Sequence, residues 1–272
     1  MDAGGRGSVV TVLTAGFPAA ASPASATDAF GLAEGEVRIP VPDGEIPAYR
    51  AMPEGGGPFP AILVIQEIFG VHEHIRDVCR RLAKNGYYAI APALYVRQGD
   101  VGPMDDVQQI LREVVARVPD PQVMADLDAT VAFATASGDA DAGRLGITGF
   151  CWGGRIVWLY AATNPQVKAG VAWYGRLVGD GSANTPRHPI DVAPGLAVPV
   201  LGLYGGQDHG IPLETVEQMK AALEKGTSGS GFVIYPEAGH AFHADYRPTY
   251  DESAAKDGWK RMLAWFAAHG AG

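Results

Sequence analysis

The sequence predicts a single α/β domain with a mainly parallel central sheet that is flanked by helices on both faces. Short β-rich runs alternate with amphipathic helical stretches over residues 35–270. Some runs, such as 61–65, are apolar throughout, as strands buried on both faces are. A chain of 272 residues is long enough for one such core, and no internal repeat or interdomain linker divides it.

β-Branched and other apolar residues mark the strands, and apolar residues at helical spacing mark the helices. The predicted strands cover residues 36–41, 46–52, 61–65, 87–92, 144–150, 169–174, 200–204 and 232–235. The predicted helices cover residues 72–85, 105–118, 121–137, 153–163, 213–225 and 257–269. The first two strands flank Pro42-Asp43-Gly44, which indicates an antiparallel hairpin at one edge of the sheet. Residues 179–193 are irregular, and so long a loop in a compact domain is often functional.

The first 30 residues differ in composition from the domain at 35–270. Arg6 is followed by a modest apolar stretch over 9–21 and then by Ala24-Ser25-Ala26. This order is typical of a secretory signal with a small-residue cleavage site, but a disordered Ala/Pro/Ser-rich leader has the same composition. The first interpretation predicts a periplasmic or secreted protein, and the second a cytoplasmic one.

Charge and composition narrow the classes of partner. The formal net charge is −9 and Lys and Arg form no basic stripe, so we expect no nucleic acid partner. No apolar run approaches the roughly 20 residues of a membrane helix, so we expect no membrane partner. Two cysteines, Cys79 and Cys151, are too few for a disulfide framework. We expect a monomer, with a homodimer as the alternative.

The segment Gly149-Phe-Cys-Trp-Gly-Gly154 lies between a predicted strand and a predicted helix. A G-x-C-x-G turn in that context typically presents a nucleophile, because glycine permits a sharp turn where a Cβ would collide with its neighbours. The helix N-terminus favours a thiolate at Cys151, and the N–H of Trp152 is expected to donate to an oxyanion. The alternative is a buried structural cysteine, which is our interpretation of Cys79 in mid-helix.

A cysteine nucleophile in acyl transfer needs a base and a group that orients this base. Asp208 follows the strand at 200–204, so it lies at the carboxyl edge of the sheet, where ligands bind. His240 follows Gly239 after the last strand. Asp208 and His240 are therefore the predicted acid and base, whereas His243 is assigned to the pocket rim or to a structural hydrogen bond.

The remaining histidines raise the question of a metal site. The sequence His72-Glu-His74 would point its two rings apart on a helix, and no H-E-x-x-H motif occurs. We therefore expect no metal, and the acyl chemistry requires no organic cofactor.

With these motifs, the chain resembles the dienelactone hydrolase (carboxymethylenebutenolidase) family of the α/β-hydrolase superfamily over most of residues 35–270. The resemblance is carried by Gln66-Glu-Ile-Phe-Gly70, Tyr95-Val-Arg-Gln98, Gly149-Phe-Cys-Trp-Gly-Gly154, Gly205-Gly-Gln-Asp208 and Gly239-His-Ala-Phe242. It implies the α/β-hydrolase fold and a hydrolase that cleaves a small lactone or carboxylic ester. The implied machinery is a Cys151–His240–Asp208 triad that works through a thioester acyl-enzyme.

The resemblance also implies roles for two residues after the strand at 61–65. Glu67 would interact with the resting cysteine and help to generate the thiolate, and the N–H of Ile68 would be the second oxyanion donor. The residues expected to contact the substrate are Phe69, Tyr95, Arg112, Trp173, Tyr174, Phe242 and Arg247.

One position departs from the family pattern. Well-studied members place an arginine four residues after the histidine, where it binds the substrate carboxylate, and this chain has Ala244 there. Arg247, Arg112 and Arg97 are the candidates to replace that arginine.

Two other functions stay open at the level of sequence. The same scaffold could carry an esterase or acyl-transfer enzyme that acts on another ester or a thioester. It could also be a non-catalytic binding protein, although a binding module needs no aligned nucleophile, acid and base.

Overall fold

The computed structural model describes residues 26–272. Most of the predicted leader, its cleavage and the location that follows from it lie outside the described residues. The strands are β1 (Leu32–Val41), β2 (Gly44–Pro53), β3 (Phe59–Ile65), β4 (Tyr88–Pro92), β5 (Ala140–Phe150), β6 (Val167–Trp173), β7 (Val200–Gly205) and β8 (Gly231–Tyr235). The helices are α1 (Glu73–Lys84), α2 (Val107–Glu113), α3 (Asp120–Ala136), α4 (Trp152–Thr163), α5 (Pro189–Val192), α6 (Leu213–Leu223) and α7 (Glu252–Ala268).

The strands form one sheet in the order β1-β2-β4-β3-β5-β6-β7-β8. β1 pairs with β2 and β2 with β4 in antiparallel fashion, and every other pair is parallel. Helices flank the sheet, and β3 is buried from Pro60 to Ile65, as its apolar sequence predicts. The predicted α/β-hydrolase fold, with its antiparallel pair at one edge, is confirmed.

Local backbone geometry explains why two helices depart from their predicted bounds. The stretch 105–118 is α2 followed by a 3₁₀ turn (Val115–Arg117), with a break at Val114, where φ is −117° and ψ is −65°. α7 begins at Glu252 rather than at residue 257, because the Asp251 carboxylate caps it by accepting a hydrogen bond from the N–H of Ala254 at 2.9 Å. Residues 179–193 are irregular up to the short α5, as predicted.

No helix in the described part of the chain has both the length and the apolar character needed to cross a membrane.

The parallel strands place the predicted chemical groups at one edge of the sheet. β3, β5, β6, β7 and β8 run in the same direction, so their carboxyl ends share this edge. The residues that follow them are Glu67, Cys151, Tyr174, Asp208 and His240. Residues far apart in sequence therefore meet above the sheet.

Candidate active site

Cys151 occupies a sharp turn between β5 and α4. Its backbone has φ 55° and ψ −114°, a conformation that residues with a Cβ rarely adopt and that costs about 1–3 kcal/mol. The N–H of Cys151 donates to the carbonyl of Trp173 in β6 at 3.0 Å and so ties the turn to the sheet. The side chain is partly exposed, as a group that meets a substrate must be.

The glycines beside Cys151 are needed because backbone packs against them directly. A Cβ on Gly149 would lie 2.5 Å from the carbonyl oxygen of Gly153, and a Cβ on Gly153 would lie 2.5 Å from that of Ile65. These separations are far below van der Waals contact, so the end of β3 and the start of α4 approach as closely as glycine permits. The two glycines thereby fix the position of Cys151 relative to β3.

Asp208 and His240 form a hydrogen-bonded pair beside this turn. His240 Nδ1 lies 2.7 Å from Asp208 Oδ2, and Oδ1 of the buried Asp208 accepts hydrogen bonds from the N–H groups of Gly210 and Ile211 at 2.9 and 3.1 Å. The carboxylate is therefore held on both sides and fixes the imidazole ring. Cys151 lies close enough to His240 to act on the charge of its ring.

The charge on His240 follows from these contacts. Burial opposes protonation, but the hydrogen bonds with Asp208 and Cys151 raise the pKa of His240 to about 10. Asp208 and Cys151 are therefore the two polar neighbours that favour the protonated, charged form of this ring.

Two backbone N–H groups belong to the nucleophile turn and to the turn that follows β3. Trp152 is the first residue of α4, where a helix N–H has no intrahelical acceptor. Ile68 lies in a tight turn closed by a hydrogen bond from the N–H of Gly70 to the carbonyl of Glu67 at 3.3 Å. The turn predicts Trp152 as one oxyanion donor, and the family resemblance implies Ile68 as the other.

Glu67 is buried beside the site, and one of its oxygens is held by Tyr246 and His72. Tyr246 donates its hydroxyl to Glu67 Oε2 at 2.7 Å, and His72 Nε2 lies 3.3 Å from the same oxygen. Burial alone would raise the pKa of Glu67, but the neighbouring His72 and His74 and the Tyr246 hydrogen bond lower it to about 2. Within residues 26–272, the Glu67 side chain accepts its hydrogen bond from Tyr246 and lies at ion-pair distance from His72.

The sequence model of the dienelactone hydrolase family matches residues 46–270. The chain belongs to the dienelactone hydrolase family. It is 65% identical over 267 residues to the "Putative carboxymethylenebutenolidase" of Methylorubrum extorquens, an alignment that covers 96% of this chain and 92% of the relative. The protein of the same name from Escherichia coli K12 is 53% identical over 269 residues, covering 96% and 98% of the two chains. The chain is a hydrolase of this family and acts on a small-molecule substrate.

Solved structures agree with this assignment. The "Putative Dienelactone Hydrolase" of Klebsiella pneumoniae superposes with a TM-score of 0.85 at 58% identity, covering 87% of this chain and 98% of that one. An acylaminoacyl peptidase from Pyrococcus horikoshii superposes with a TM-score of 0.69 at 17% identity, covering 89% of this chain and 42% of that one. The similarity to the acylaminoacyl peptidase shows a shared fold and nothing more.

Three of the residues that are predicted to contact the substrate lie around Cys151 and Glu67. They are Phe69, Tyr95 and Tyr174. Tyr95 is buried, with its ring edge-on to Trp152 at 4.9 Å. Tyr174 is fully buried, and its ring packs edge-on against His240 at 5.2 Å. Burial raises the pKa of both phenols, and the charges of Cys151 and Glu67 raise it further, which places both hydroxyl groups near those residues. The partly buried Phe69 follows Ile68.

Trp173 and Phe242 lie in the core beneath the site. Trp173 is fully buried and donates its indole N–H to Thr148 Oγ1 at 3.1 Å. Phe242 is fully buried between Trp173 and Tyr174. Both side chains support the residues of the site from below.

The three candidate arginines lie in different parts of the structure. Arg112 is exposed on α2 and pairs with Glu113 at 3.3 Å, and Arg97 is held by Asp43 and Asp126. Arg247 instead stacks its guanidinium over the Phe69 ring at 5.5 Å and acts electrostatically on Tyr174 and Tyr246. Of the three candidates to replace the missing arginine, the structure brings Arg247 to the site, whereas Ala244 is fully buried.

The prediction that the His72 and His74 rings point apart is wrong. α1 begins at Glu73, so His72 precedes the helix with an extended backbone, and both rings are buried and stack 6.1 Å apart. His243 is also fully buried and packs 4.6 Å from the Trp173 ring, so it is a core residue and does not lie at the pocket rim. Groups of His, Cys, Asp and Glu that could hold a metal ion are absent from residues 26–272.

Two residues that support the site, Tyr246 and Arg155, belong to no recognisable sequence motif. Tyr246 reaches Glu67 across 179 positions of sequence, and only its place shortly after His240 hints at this contact. Arg155 lies one turn into α4, where it makes a two-pronged ion pair with Asp120 at 2.7 and 2.8 Å and donates to the carbonyl of Arg187 at 2.6 Å. A buried arginine one turn after the nucleophile is the signal that could have identified this anchor of α4.

Proposed function

We propose that this protein hydrolyses a small lactone or carboxylic ester through a Cys151–His240–Asp208 triad and a thioester acyl-enzyme. The observation that carries the proposal is the His240–Asp208 hydrogen bond at 2.7 Å, on a ring whose pKa is also raised by Cys151, a cysteine in a strained turn. A structural cysteine has no need of this alignment. The family membership and the names of the relatives agree with the same reaction class.

The proposed reaction has two acyl-transfer steps. The Cys151 thiolate attacks the carbonyl carbon, and the N–H groups of Trp152 and Ile68 stabilise the oxyanion. The C–O bond to the leaving group breaks as His240 donates its proton to the departing oxygen. His240 then takes a proton from water, which attacks the thioester, and the C–S bond breaks to release the acid and restore the thiolate.

Glu67 enters the proposal as a fixed negative charge near the nucleophile. A carboxylate whose pKa is about 2 is a weak acceptor for a thiol proton, whereas His240, whose pKa is about 10, is a strong one. His240 therefore holds the proton of Cys151 and acts as the acid towards the leaving group in the first step. It acts as the base towards water in the second step.

Arg247 is the proposed binding group for a substrate carboxylate. Its side chain is partly buried, it stacks on Phe69, and it lies close to Tyr174 and Tyr246. Guanidinium groups bind carboxylates through paired hydrogen bonds, so a lactone with a free carboxylate would suit this site.

Hydrolysis of a chromogenic acetate ester tests the proposal. We expect Cys151→Ala and His240→Ala to abolish turnover and Cys79→Ala, the matched cysteine control, to retain it. Intact-mass measurement should detect an acetyl group on the wild-type enzyme but not on Cys151→Ala. Full activity in Cys151→Ala would contradict the proposal. A panel of lactones, neutral esters and thioesters then separates a lactonase from a general esterase or acyl-transfer enzyme, and inertness towards all of them would favour a binding protein.

A further inference from the structure

Arg155 lies one turn after Cys151 on α4, and its guanidinium is buried. It pairs with both carboxylate oxygens of Asp120, with distances of 2.8 Å from Nη1 to Oδ1 and 2.7 Å from Nη2 to Oδ2. Nη2 also donates to the carbonyl of Arg187 at 2.6 Å. Taking two charges out of water costs about as much as their attraction returns, so a buried pair adds little net stability. What this pair does impose is a fixed geometry between the segments that it joins.

The partners of Arg155 belong to two other segments that begin at the edge of the sheet that carries the site. Asp120 is the first residue of α3, in the connection after β4, which runs parallel to β3. Arg187 lies in the loop after β6. These two segments also contact each other, because the N–H of Asp120 donates to the Asn184 carbonyl at 2.8 Å and Asn184 Nδ2 donates to the Ala116 carbonyl at 2.9 Å. Arg155 therefore joins α4 to both of its neighbours.

The first turns of α3 hold the turn at residues 95–98, which we call the Tyr95 turn. Gln122 and Gln98 exchange two amide hydrogen bonds, at 2.9 and 3.3 Å. Asp126 accepts two hydrogen bonds from Arg97, at 2.7 and 3.0 Å. The N–H of Gln98 donates to the Tyr95 carbonyl at 2.8 Å and closes the turn. The position of α3 thereby sets the position of Tyr95.

Tyr95 in turn contacts the residue that follows the proposed nucleophile. Its buried ring lies edge-on to the Trp152 ring at 4.9 Å. The contacts form a closed circuit, which runs from α4 through Arg155 and Asp120 to α3, and from α3 through the Tyr95 turn back to Trp152. The ion pair closes this circuit on the side of the helices.

Other contacts hold α3 and the nucleophile turn without Arg155. In the second half of α4, Tyr160 donates its hydroxyl to Asp128 Oδ1 on α3 at 2.8 Å. The N–H of Cys151 donates to the Trp173 carbonyl at 3.0 Å. A weakened ion pair would therefore let the start of α3 shift while the two helices stay joined and Cys151 stays in place.

We propose that Arg155 is a positioning residue, whose paired hydrogen bonds with Asp120 hold the Tyr95 turn at a fixed distance from Cys151. This inference rests on the proposed function, since it treats Tyr95 as a wall of the substrate pocket. A displaced wall weakens the binding of substrate and transition state alike, which raises KM and leaves kcat unchanged.

Arg155→Lys keeps the charge but replaces a planar group that donates two parallel hydrogen bonds with a single ammonium. We expect KM for a chromogenic acetate ester to rise about tenfold, in the range found for residues that act on a ligand through intermediate contacts, and kcat to stay within about twofold. Arg144→Lys is the matched control. Arg144 pairs with Asp141 at 2.7 Å and donates to the Pro58 carbonyl at 3.0 Å, but it lies near the opposite end of β5, so KM should not change.

Combination with Tyr95→Leu distinguishes positioning of the Tyr95 turn from a general loss of structure. Tyr95→Leu should raise KM by itself, and adding Arg155→Lys should raise it little further, because the wall is already lost. The proposal is overturned if Arg155→Lys leaves KM unchanged, lowers kcat by as much as it raises KM, or raises KM equally in the Tyr95→Leu background.

A second variant covers the case in which Arg155→Lys fails to fold, as circular dichroism would show. Arg155→Met combined with Asp120→Leu removes both charges, so no buried charge is left unpaired. It should show the same rise in KM, and an unchanged KM in this folded variant would equally overturn the proposal.

Amide hydrogen exchange tests the same link without turnover. Arg155→Lys should speed exchange over residues 94–99 and leave residues 66–71 unchanged, whereas Arg144→Lys should change neither segment. Unchanged exchange over 94–99 would contradict the link between Arg155 and the Tyr95 turn. If ester hydrolysis survives Cys151→Ala, the proposed function fails, yet the exchange rates still decide whether Arg155 holds this turn.

Discussion

Gly153→Ala tests how tightly the nucleophile turn is packed. The added Cβ would lie 2.5 Å from the Ile65 carbonyl oxygen and 2.6 Å from that of Gln66, whereas ordinary contact begins at 3.4 Å, so α4 and β3 would have to separate by about 0.9 Å. Overpacking of a well-packed site costs about 1–3 kcal/mol, and we expect the upper end because both contacted atoms are backbone. A loss of about 3 kcal/mol corresponds to a fall of roughly 6–12 °C in Tm for a domain of this size.

The same displacement would move the proposed oxyanion donor Trp152. A misplacement of about 1 Å can cost about a hundredfold in turnover, so ester hydrolysis should fall by that order. Urea unfolding and initial rates are compared with those of Gly195→Ala, the matched control, because a Cβ there meets no atom within 4 Å. We expect the control to stay within about 1 kcal/mol of the wild type. Equal unfolding free energies for the two variants would refute the packing argument, and full activity in a destabilised Gly153→Ala would refute its link to the site.

Three further outcomes concern charge at the site. Asp208→Asn should lower the pKa of His240 from its value of about 10 and reduce kcat about 10²–10⁴-fold, and an unchanged His240 titration by NMR would contradict the pairing. The lowered pKa of Glu67 stabilises the fold fully above about pH 4.5, and this contribution is lost as the pH falls through about 2. The unfolding free energy of the wild type relative to Glu67→Gln should therefore drop by roughly 3 kcal/mol on acidification, whereas a pH-independent difference would exclude this linkage. Arg247→Gln should raise KM about tenfold for a lactone with a free carboxylate and leave a neutral ester unaffected, so equal effects on both substrates would argue against a carboxylate contact.

The sequence predicts the elements of the site whose chemistry forces a local pattern. A strained turn that packs against two neighbouring elements requires glycines. Gly149 and Gly153 therefore indicate that Cys151 lies in such a turn. The acid and base follow strand ends, so the parallel sheet brings Asp208 and His240 to one edge. These features depend on local backbone geometry and strand direction, and both can be read from residue order.

The sequence does not predict which side chains far apart in the chain contact one another. Nothing local indicates that Tyr246 meets Glu67 or that Arg247 stacks on Phe69, because loops after different strands bring these pairs together. The orientation of His72 was predicted wrongly for a local reason. α1 begins one residue later than predicted, so helical periodicity does not apply to His72.

Within residues 26–272, β8 lies at one edge of the sheet and pairs only with β7, and all five of its residues are half-buried. The proposed base follows this strand, whereas the proposed nucleophile follows the central strand β5. Edge elements open locally at a lower free-energy cost than central ones, so the catalytic unit spans regions of unequal local stability. Enzymatic activity should therefore be sensitive to local unfolding at this edge of the sheet. In mild denaturant, it should disappear before the main core unfolds.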